Sequence, residues 1–385
     1  MDTTRRAAGG LSRRDFLAAG AGAAAGLALG GCAQRDAGRA PPFAPAQAAP
    51  APAPAARAPS GAADPRYEIG LCQWAYHERF YRGELDALQF PARVARAHRV
   101  AGIDWVNTLL MRPGQTAAVP PRDAAFFAAL RRQMDAAGLR SALLLVDLEG
   151  PPMGAASPRD RQRFVDAALA WVEPARALGC AGLRVNAHSE FEGPHAYPRA
   201  LDACSESLER LLGETRASGL LVLVENHGEL SSRGDWLADL LRRFARSRPH
   251  SGALADLGNW LPFRLTPELR EAIGRMLQER GSIDAAGLAP LFAAQGVQPY
   301  PALQGMREIA PYTRAVSAKA HRFDAAGNEP EIDYPGQLGI LRDAGFRGWI
   351  SAEYEGSGDP ALGSEQTLAL LRRTLEELER GSLRK

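Results

Sequence analysis

The chain has 385 residues, 46% of them apolar and 23% charged, with a net charge of +2. Those values describe a globular protein and exclude both a basic field for nucleic acid and an acidic tail. Four cysteines are too few for a disulfide scaffold. Cys72, Cys180 and Cys204 match no zinc spacing and read as buried free thiols.

The N-terminus reads as an address. Ser12-Arg13-Arg14-Asp15-Phe16-Leu17 resembles the twin-arginine export motif, and an Ala/Gly/Leu run over residues 18–31 follows it. That run is too short to span a bilayer permanently. It closes on Leu29-Gly30-Gly31-Cys32, the pattern of a lipobox. Cleavage before Cys32 and acylation of its thiol would tether the mature chain to a membrane from the periplasmic side. The alternative is a plain signal peptide with an incidental cysteine. Residues 1–31 are assigned to the signal peptide. Residues 32–65 are Ala- and Pro-rich with hardly any large apolar side chain, so they are expected to be a disordered spacer. The folded domain is placed at residues 66–385.

From Tyr67 onward, strand and helix patterns alternate. Short apolar strands are expected at residues 67–74, 103–107, 141–146, 181–186, 220–225, 253–256, 315–319 and 348–353. Helices are expected at 86–100, 123–137, 161–178, 201–217, 234–246, 334–344 and 364–380. Gly179 reads as a helix stop. Eight strands alternating with helices predict a closed (β/α)8 TIM barrel. A doubly wound sheet would need a Gly-rich phosphate loop after the first strand, where Cys72-Gln73-Trp74-Ala75 stands. The interval before the seventh strand is long. Residues 262–300 are expected to form an insertion with helices at 268–280 and 283–294, bordering the mouth or packed at the periphery.

Leu220 to Val224 is an apolar run that ends abruptly in Glu225-Asn226-His227-Gly228. Alternation puts Glu225 and His227 on one side of the strand and Asn226 on the other. A carboxylate at the end of a buried strand is costly unless it pairs with a cation, binds a metal or does chemistry. Asp256 and Glu353 end two further apolar strands in the same way. In a barrel these ends meet at the C-terminal mouth, together with Gln73, Asn107, Asp147, Glu149, Asn186, His188, Lys319, His321 and Glu355. An oxygen-rich cup of this kind suits Mg, Mn or Co, or Zn if a histidine joins. Trp74 reads as a wall of the cup.

Residues 67–379 resemble the sugar-phosphate isomerase/epimerase group of the xylose-isomerase-like TIM barrels. The resemblance rests on Leu71-Cys-Gln-Trp74, Trp105-Val-Asn107, Leu178-Gly-Cys-Ala-Gly-Leu-Arg-Val-Asn186, Val224-Glu-Asn-His-Gly228, Asp256-Leu-Gly-Asn259, Val316-Ser-Ala-Lys319 and Ala352-Glu-Tyr-Glu-Gly356. It implies a divalent metal held by Glu225, Asp256, a histidine and Glu353. The seventh-strand pattern His-x-Lys is not kept, since Ser317 stands two residues before Lys319. His321, two residues beyond, supplies the missing ligand, or the site runs on three carboxylates and water. The resemblance also implies Glu225 and Glu353 as catalytic bases on opposite faces of the substrate. Gln73, Asn107, Asn186, His188, His227 and Lys319 are then substrate-binding.

The activity so implied is isomerisation or epimerisation of a carbohydrate by proton removal next to a carbonyl, through an enediolate. Export and the lack of an evident phosphate site favour an unphosphorylated sugar, keto-sugar or cyclitol. A lyase or dehydratase acting on a 3-keto-glycoside would use the same cup. The reading from a different class is an exported, non-catalytic sugar-binding lipoprotein. Nucleic-acid cleavage is disfavoured by the near-neutral charge. The oligomeric state is left open.

Overall fold

The computed structural model describes residues 66–111, 123–193, 195–263 and 293–381, with residues 266, 268–269, 271–272, 275–276 and 290–291. The export segment, Cys32 and the spacer lie outside the described residues. So do most of the helices expected at 268–280 and 283–294.

Eight parallel strands close into a barrel in chain order, with β8 paired to β1. They are β1 Tyr67–Cys72, β2 Gly102–Val106, β3 Arg140–Leu145, β4 Gly182–Asn186, β5 Leu221–Glu225, β6 Ser251–Asp256, β7 Thr313–Ala320 and β8 Gly348–Tyr354. The described helices are α1 His77–Tyr81, α2 Phe90–Ala97, α3 Ala124–Ala137, α4 Pro158–Leu169, α5 Val172–Leu178, α6 Ala196–Thr215, α7 Gly234–Arg242, α8 Ala302–Ile309, α9 Tyr334–Asp343 and α10 Pro360–Glu379.

The strand run of Leu and Val serves two cores at once. On β5, Val222 and Val224 point outward into the large core shared with the helices, whereas Leu221 and Leu223 point into the barrel. The inner core is small: Cys72, Val106, Leu143, Leu145, Leu223, Leu254 and Ala315 close the interior beneath the mouth. Trp349 fills the floor, with the Arg140 guanidinium 4.8 Å from its ring centroid. That packing requires Gly102, because a Cβ there would come 2.9 Å from the Trp349 ring and 2.3 Å from the Arg140 carbonyl oxygen.

Helix ends follow local chemistry. Asp359 accepts hydrogen bonds from the Ala361 and Leu362 amides, so α10 starts four residues before the expected position, at Pro360. Gly179 ends α5 in the left-handed conformation, φ 75°. The single helix expected over 161–178 is two. Pro174 has no N–H for the Ala170 carbonyl and its ring crowds it, so the chain turns at Ala170 and Trp171 between α4 and α5. Helices α1 and α8 have no counterpart in the sequence-based expectation. Both are short, and α8 packs Met306 and Ile309 on one face only.

Candidate active site

The strand alternation aims Arg184, Glu225, Asp256, Ser317, Lys319 and Glu353 inward at the C-terminal mouth. Register sets their levels. Asp256 is paired with Ser317, and Lys319 with Glu353. A cavity here is lined by Trp74, Val106, Leu145, Asp147, Arg184, Glu225, His227, Lys319, Glu353 and Glu355.

Two buried cations organise it. The first is Arg184 on β4. Its Nη1 lies 2.6 Å from Asp147 Oδ1 and its Nε lies 2.8 Å from Glu225 Oε2. Asn186 completes this half, donating to Asp147 Oδ1 at 2.9 Å and accepting from Arg184 Nη1 at 3.2 Å. The second is Lys319 on β7. Its Nζ lies 2.9 Å from Glu355 Oε2, 3.3 Å from Glu353 Oε2 and 3.6 Å from Asp256 Oδ2.

Each carboxylate is also held from its own side. Glu353 accepts from the Ser317 hydroxyl at 2.5 Å and from the Cys72 thiol at 3.5 Å. Burial pushes the Cys72 pKa well up, so the thiol stays a neutral donor. Glu225 Oε1 accepts from Asn259 Nδ2 at 3.3 Å. Asp256 Oδ1 accepts from the Gly258 and Asn259 amides at 2.7 and 2.9 Å, while its Oδ2 has no hydrogen bond.

The crowding sets the protonation pattern. Burial raises Asp256 to about 7; Lys319 opposes the rise and the charge of Glu353 adds to it. Burial likewise pushes Glu225 well up against the pull of Arg184, with Asp256 and Glu353 adding to the rise. Burial works against the charge on Lys319, but Asp256, Glu353 and Glu355 hold its pKa well above the usual lysine value. The ammonium is therefore a fixed cation. Asp147 and Glu355 go the other way: burial would raise both, and Arg184 and Lys319 respectively hold them down. Burial, with Arg184 and His188, lowers His227 to about 3, so it is a neutral imidazole.

The structure sorts the expected residues by place. Glu225, His227, Lys319 and Glu353 line the cavity, and Asp256 sits behind Lys319. Gln73 and Asn107 are fully buried and neither lines the cavity; Asn107 binds backbone through both amide atoms, Gln73 through its oxygen alone, with Nε2 making no hydrogen bond. Gln73 Oε1 accepts from the Val106 amide at 3.0 Å. Asn107 exchanges two bonds of 2.9 Å with the backbone of Asp147. Asn186 belongs to the Arg184 network. His188 Nε2 lies 2.8 Å from the His227 carbonyl oxygen and so braces the loop beyond β5. His321 stands outside the cavity wall, and the charged groups that face it are Glu355, Lys319 and Glu331.

As arranged, the side chains do not fit a divalent cation. Among the described residues no three His, Cys, Asp or Glu side chains converge as an ion-binding group. Buried cations stand among the three carboxylates that would hold one, and the residue level with Asp256 on β7 is a hydroxyl bonded to Glu353.

Arg184 is a wall residue that was not expected at the mouth, while Glu355 and Asp147 were placed there without a role. Arg184 had a signal: an arginine at the centre of the apolar strand Gly-Leu-Arg-Val must be paired inside the fold. Glu355 follows Glu353 by two residues and shares its face. Trp74 is the expected wall. Its ring stacks on His77 at 4.3 Å and 8°, with Tyr81 edge-on at 6.1 Å.

Comparison with known proteins places this architecture. A 3-keto-D-glucoside 4-epimerase from E. coli is 14% identical, with a TM-score of 0.51 over 80% of this chain and 99% of that one. A D-tagatose 3-epimerase-like protein is 13% identical, with a TM-score of 0.55 over 82% and 100%. A D-allulose 3-epimerase from Methylomonas sp., solved with D-allulose, is 14% identical, with a TM-score of 0.53 over 80% and 97%. At such identities the likeness is one of fold. No curated protein matches the chain. The family profile described as xylose isomerase-like TIM barrel matches residues 94–374, and the chain belongs to that family.

Proposed function

We propose that this chain is an isomerase or epimerase of an unphosphorylated sugar, keto-sugar or cyclitol, acting by proton removal next to a carbonyl. The observation that carries the reading is the cavity wall itself, where Glu225 and Glu353 stand beside a buried, permanently charged lysine. The names of the similar structures support a carbohydrate substrate. Trp74 offers an apolar face on which a sugar ring can lie.

In this mechanism Glu353 takes the proton from the carbon beside the carbonyl. The C–H electron pair becomes the enediolate double bond, and negative charge moves to the former carbonyl oxygen. The permanent charge of Lys319 stabilises it. Glu225, whose burial favours the protonated form, returns a proton to the other face. The divalent metal implied by the resemblance has no step here, because the side chains as arranged do not fit it. His227, neutral and on the wall, hydrogen-bonds substrate hydroxyls.

The twin-arginine segment and lipobox support export, with the mature chain beginning at a lipidated Cys32 and a spacer to residue 65. Mass spectrometry of the native N-terminus checks it. An unmodified Cys32 would remove the lipid anchor. Periplasmic placement also favours substrates without phosphate.

Turnover in D2O tests the chemistry. Incubation with ketohexoses and 3-keto-glucosides should place deuterium on the carbon next to the carbonyl in recovered sugar. Elimination products without wash-in would move the assignment to a lyase. No exchange with any sugar, together with saturable sugar binding, would favour a binding lipoprotein.

A further inference from the structure

A divalent ion at the bottom of this cup would need oxygens of Glu225, Asp256 and Glu353 to share one point, free of competing cations. Glu225 Oε2 is instead 2.8 Å from Arg184 Nε. Lys319 Nζ is within 3.6 Å of Asp256 and 3.3 Å of Glu353, and its third partner, Glu355, draws it toward the cavity at 2.9 Å. Both cations are nearly sealed from solvent, with side chains only 4–5% exposed, so their charges are weakly screened. A second, doubly charged cation a few ångströms away would meet that full repulsion. Of the imidazoles expected at the mouth, His188 Nε2 is bonded to the His227 carbonyl and His321 stands outside the cavity wall, facing Glu355, Lys319 and Glu331; His227 is on the wall, but the buried charge of Arg184 acts on it.

We propose that the ammonium of Lys319 takes both the place and the role of the divalent cation, so that the cup works without metal. The inference rests on the carbohydrate isomerase reading for its chemistry, but its geometry does not depend on it. The ammonium would sit against the substrate carbonyl oxygen as a carboxylate removes the neighbouring proton. The electron pair of the broken C–H bond ends as charge on that oxygen, beside Nζ, and returns to carbon when the proton is restored. No redox partner or leaving group is involved. Asp256, Glu353 and Glu355 then serve to keep a lysine charged inside the barrel, a role that needs no ion.

Metal binding is the direct test, and it needs no turnover. Chelator-treated wild-type protein is titrated with Mn2+, Mg2+, Co2+ and Zn2+ by calorimetry, with thermal unfolding in parallel. The expected result is no saturable binding at the cup and no rise in Tm. Lys319→Ala removes the ammonium and frees three carboxylates, so it should gain one Mn2+ site and a metal-dependent Tm rise. Lys319→Met keeps the buried stem and serves as the second variant if the alanine form does not fold; it should gain the site too. One equivalent of tightly bound metal in the wild type overturns the proposal. So does a folded Lys319 variant, checked by near-UV circular dichroism, that still binds no ion. Absence of turnover on every sugar tried would sink the isomerase reading and leave these binding results standing.

Discussion

The mouth has two halves built on one plan with different cations. On the β3–β5 side, Arg184 joins Asp147 and Glu225 at 2.6 and 2.8 Å. On the β6–β8 side, Lys319 serves three carboxylates at 2.9 to 3.6 Å. The planar guanidinium donates to Asp147 and Asn186 along fixed directions, while its Nε stands 2.8 Å from Glu225 Oε2 with neither atom making a hydrogen bond. An ammonium is a point charge that can shift among partners. The Arg184 half is therefore the more rigid one, with Glu225 at its edge of the cavity, and the Lys319 half is where charge can be redistributed during a reaction. The same amide device supports both. Asn107 pairs with the backbone of Asp147 through two bonds, and Asn226 pairs with the Asp256 N–H and C=O at 2.8 and 2.9 Å. Each asparagine extends the ladder by one step and sets the aspartate of its half.

The sharpest break between the halves should come from the carboxylate that belongs to the reacting side. Glu353→Gln keeps the shape and an acceptor for Ser317 but removes the base, so turnover should fall about 10²–10⁴-fold with the fold intact. Full activity in this variant ends the proposed proton transfer. Lys319→Met should follow, with a loss of about 10²–10³-fold in kcat, the usual cost of deleting one preorganised charge stabiliser. Steady-state kinetics on whichever sugar exchanges deuterium would measure both. An effect on KM alone would demote Lys319 to substrate binding.

Arg184→Met probes the other half and should speak through stability. It leaves Asp147 and Glu225 buried without their cation, a change of the kind that costs about 3–5 kcal/mol. Urea unfolding would read it. A variant as stable as the wild type would mean that the pair of carboxylates relaxes or takes up protons at little cost. The asparagines come next. Asn226→Ala orphans a backbone N–H and C=O of Asp256, and Asn107→Ala does the same to Asp147, each at roughly 1–3 kcal/mol. If the halves differ as argued, Asn226→Ala also lowers kcat, whereas Asn107→Ala acts on stability alone. Equal kinetic losses would erase the distinction.

How much of this was legible in the sequence follows from periodicity. Strands buried on both faces leave short, mostly apolar runs, richest in Leu and Val at β3 and β5, and eight of them between amphipathic segments dictate the barrel. A carboxylate closing such a run, as at Glu225, Asp256 and Glu353, marks the mouth. What alternation does not give is the partner. Asn107 and Gln73 stand at strand ends like binding residues, yet the pairing of neighbouring strands turns their amide oxygens to backbone. His321 keeps the phase of Lys319 but lies past the end of β7, where the strand rule no longer fixes direction. Pro174 was visible and decisive for the α4–α5 break, but the apolar pattern on either side of it reads through as one helix.

The smallest effect lies below both halves. Asp104 faces the barrel interior and is 2% exposed; its Oδ1 accepts from the Leu143 amide at 3.1 Å. Burial raises its pKa to about 7 from an ordinary value of 3.8. A carboxyl whose pKa is higher in the folded chain favours folding while it is protonated. That contribution is fully present below about pH 3.8 and is lost as pH rises through about 7. Asp104→Asn keeps the shape and the acceptor for Leu143 but cannot ionise. The variant should match the wild type near pH 4, pull ahead as pH rises, and level off above pH 7. A gain of the order of 1 kcal/mol at pH 8 is expected, limited by relaxation or water entry around the charge. Urea unfolding of both proteins across this range provides the curve. A constant offset at every pH would show that Asp104 is either ionised throughout or paired more closely with the charges above it. The floor would then belong to the same electrostatic unit as the mouth, and Lys319 would have a fourth carboxylate to balance.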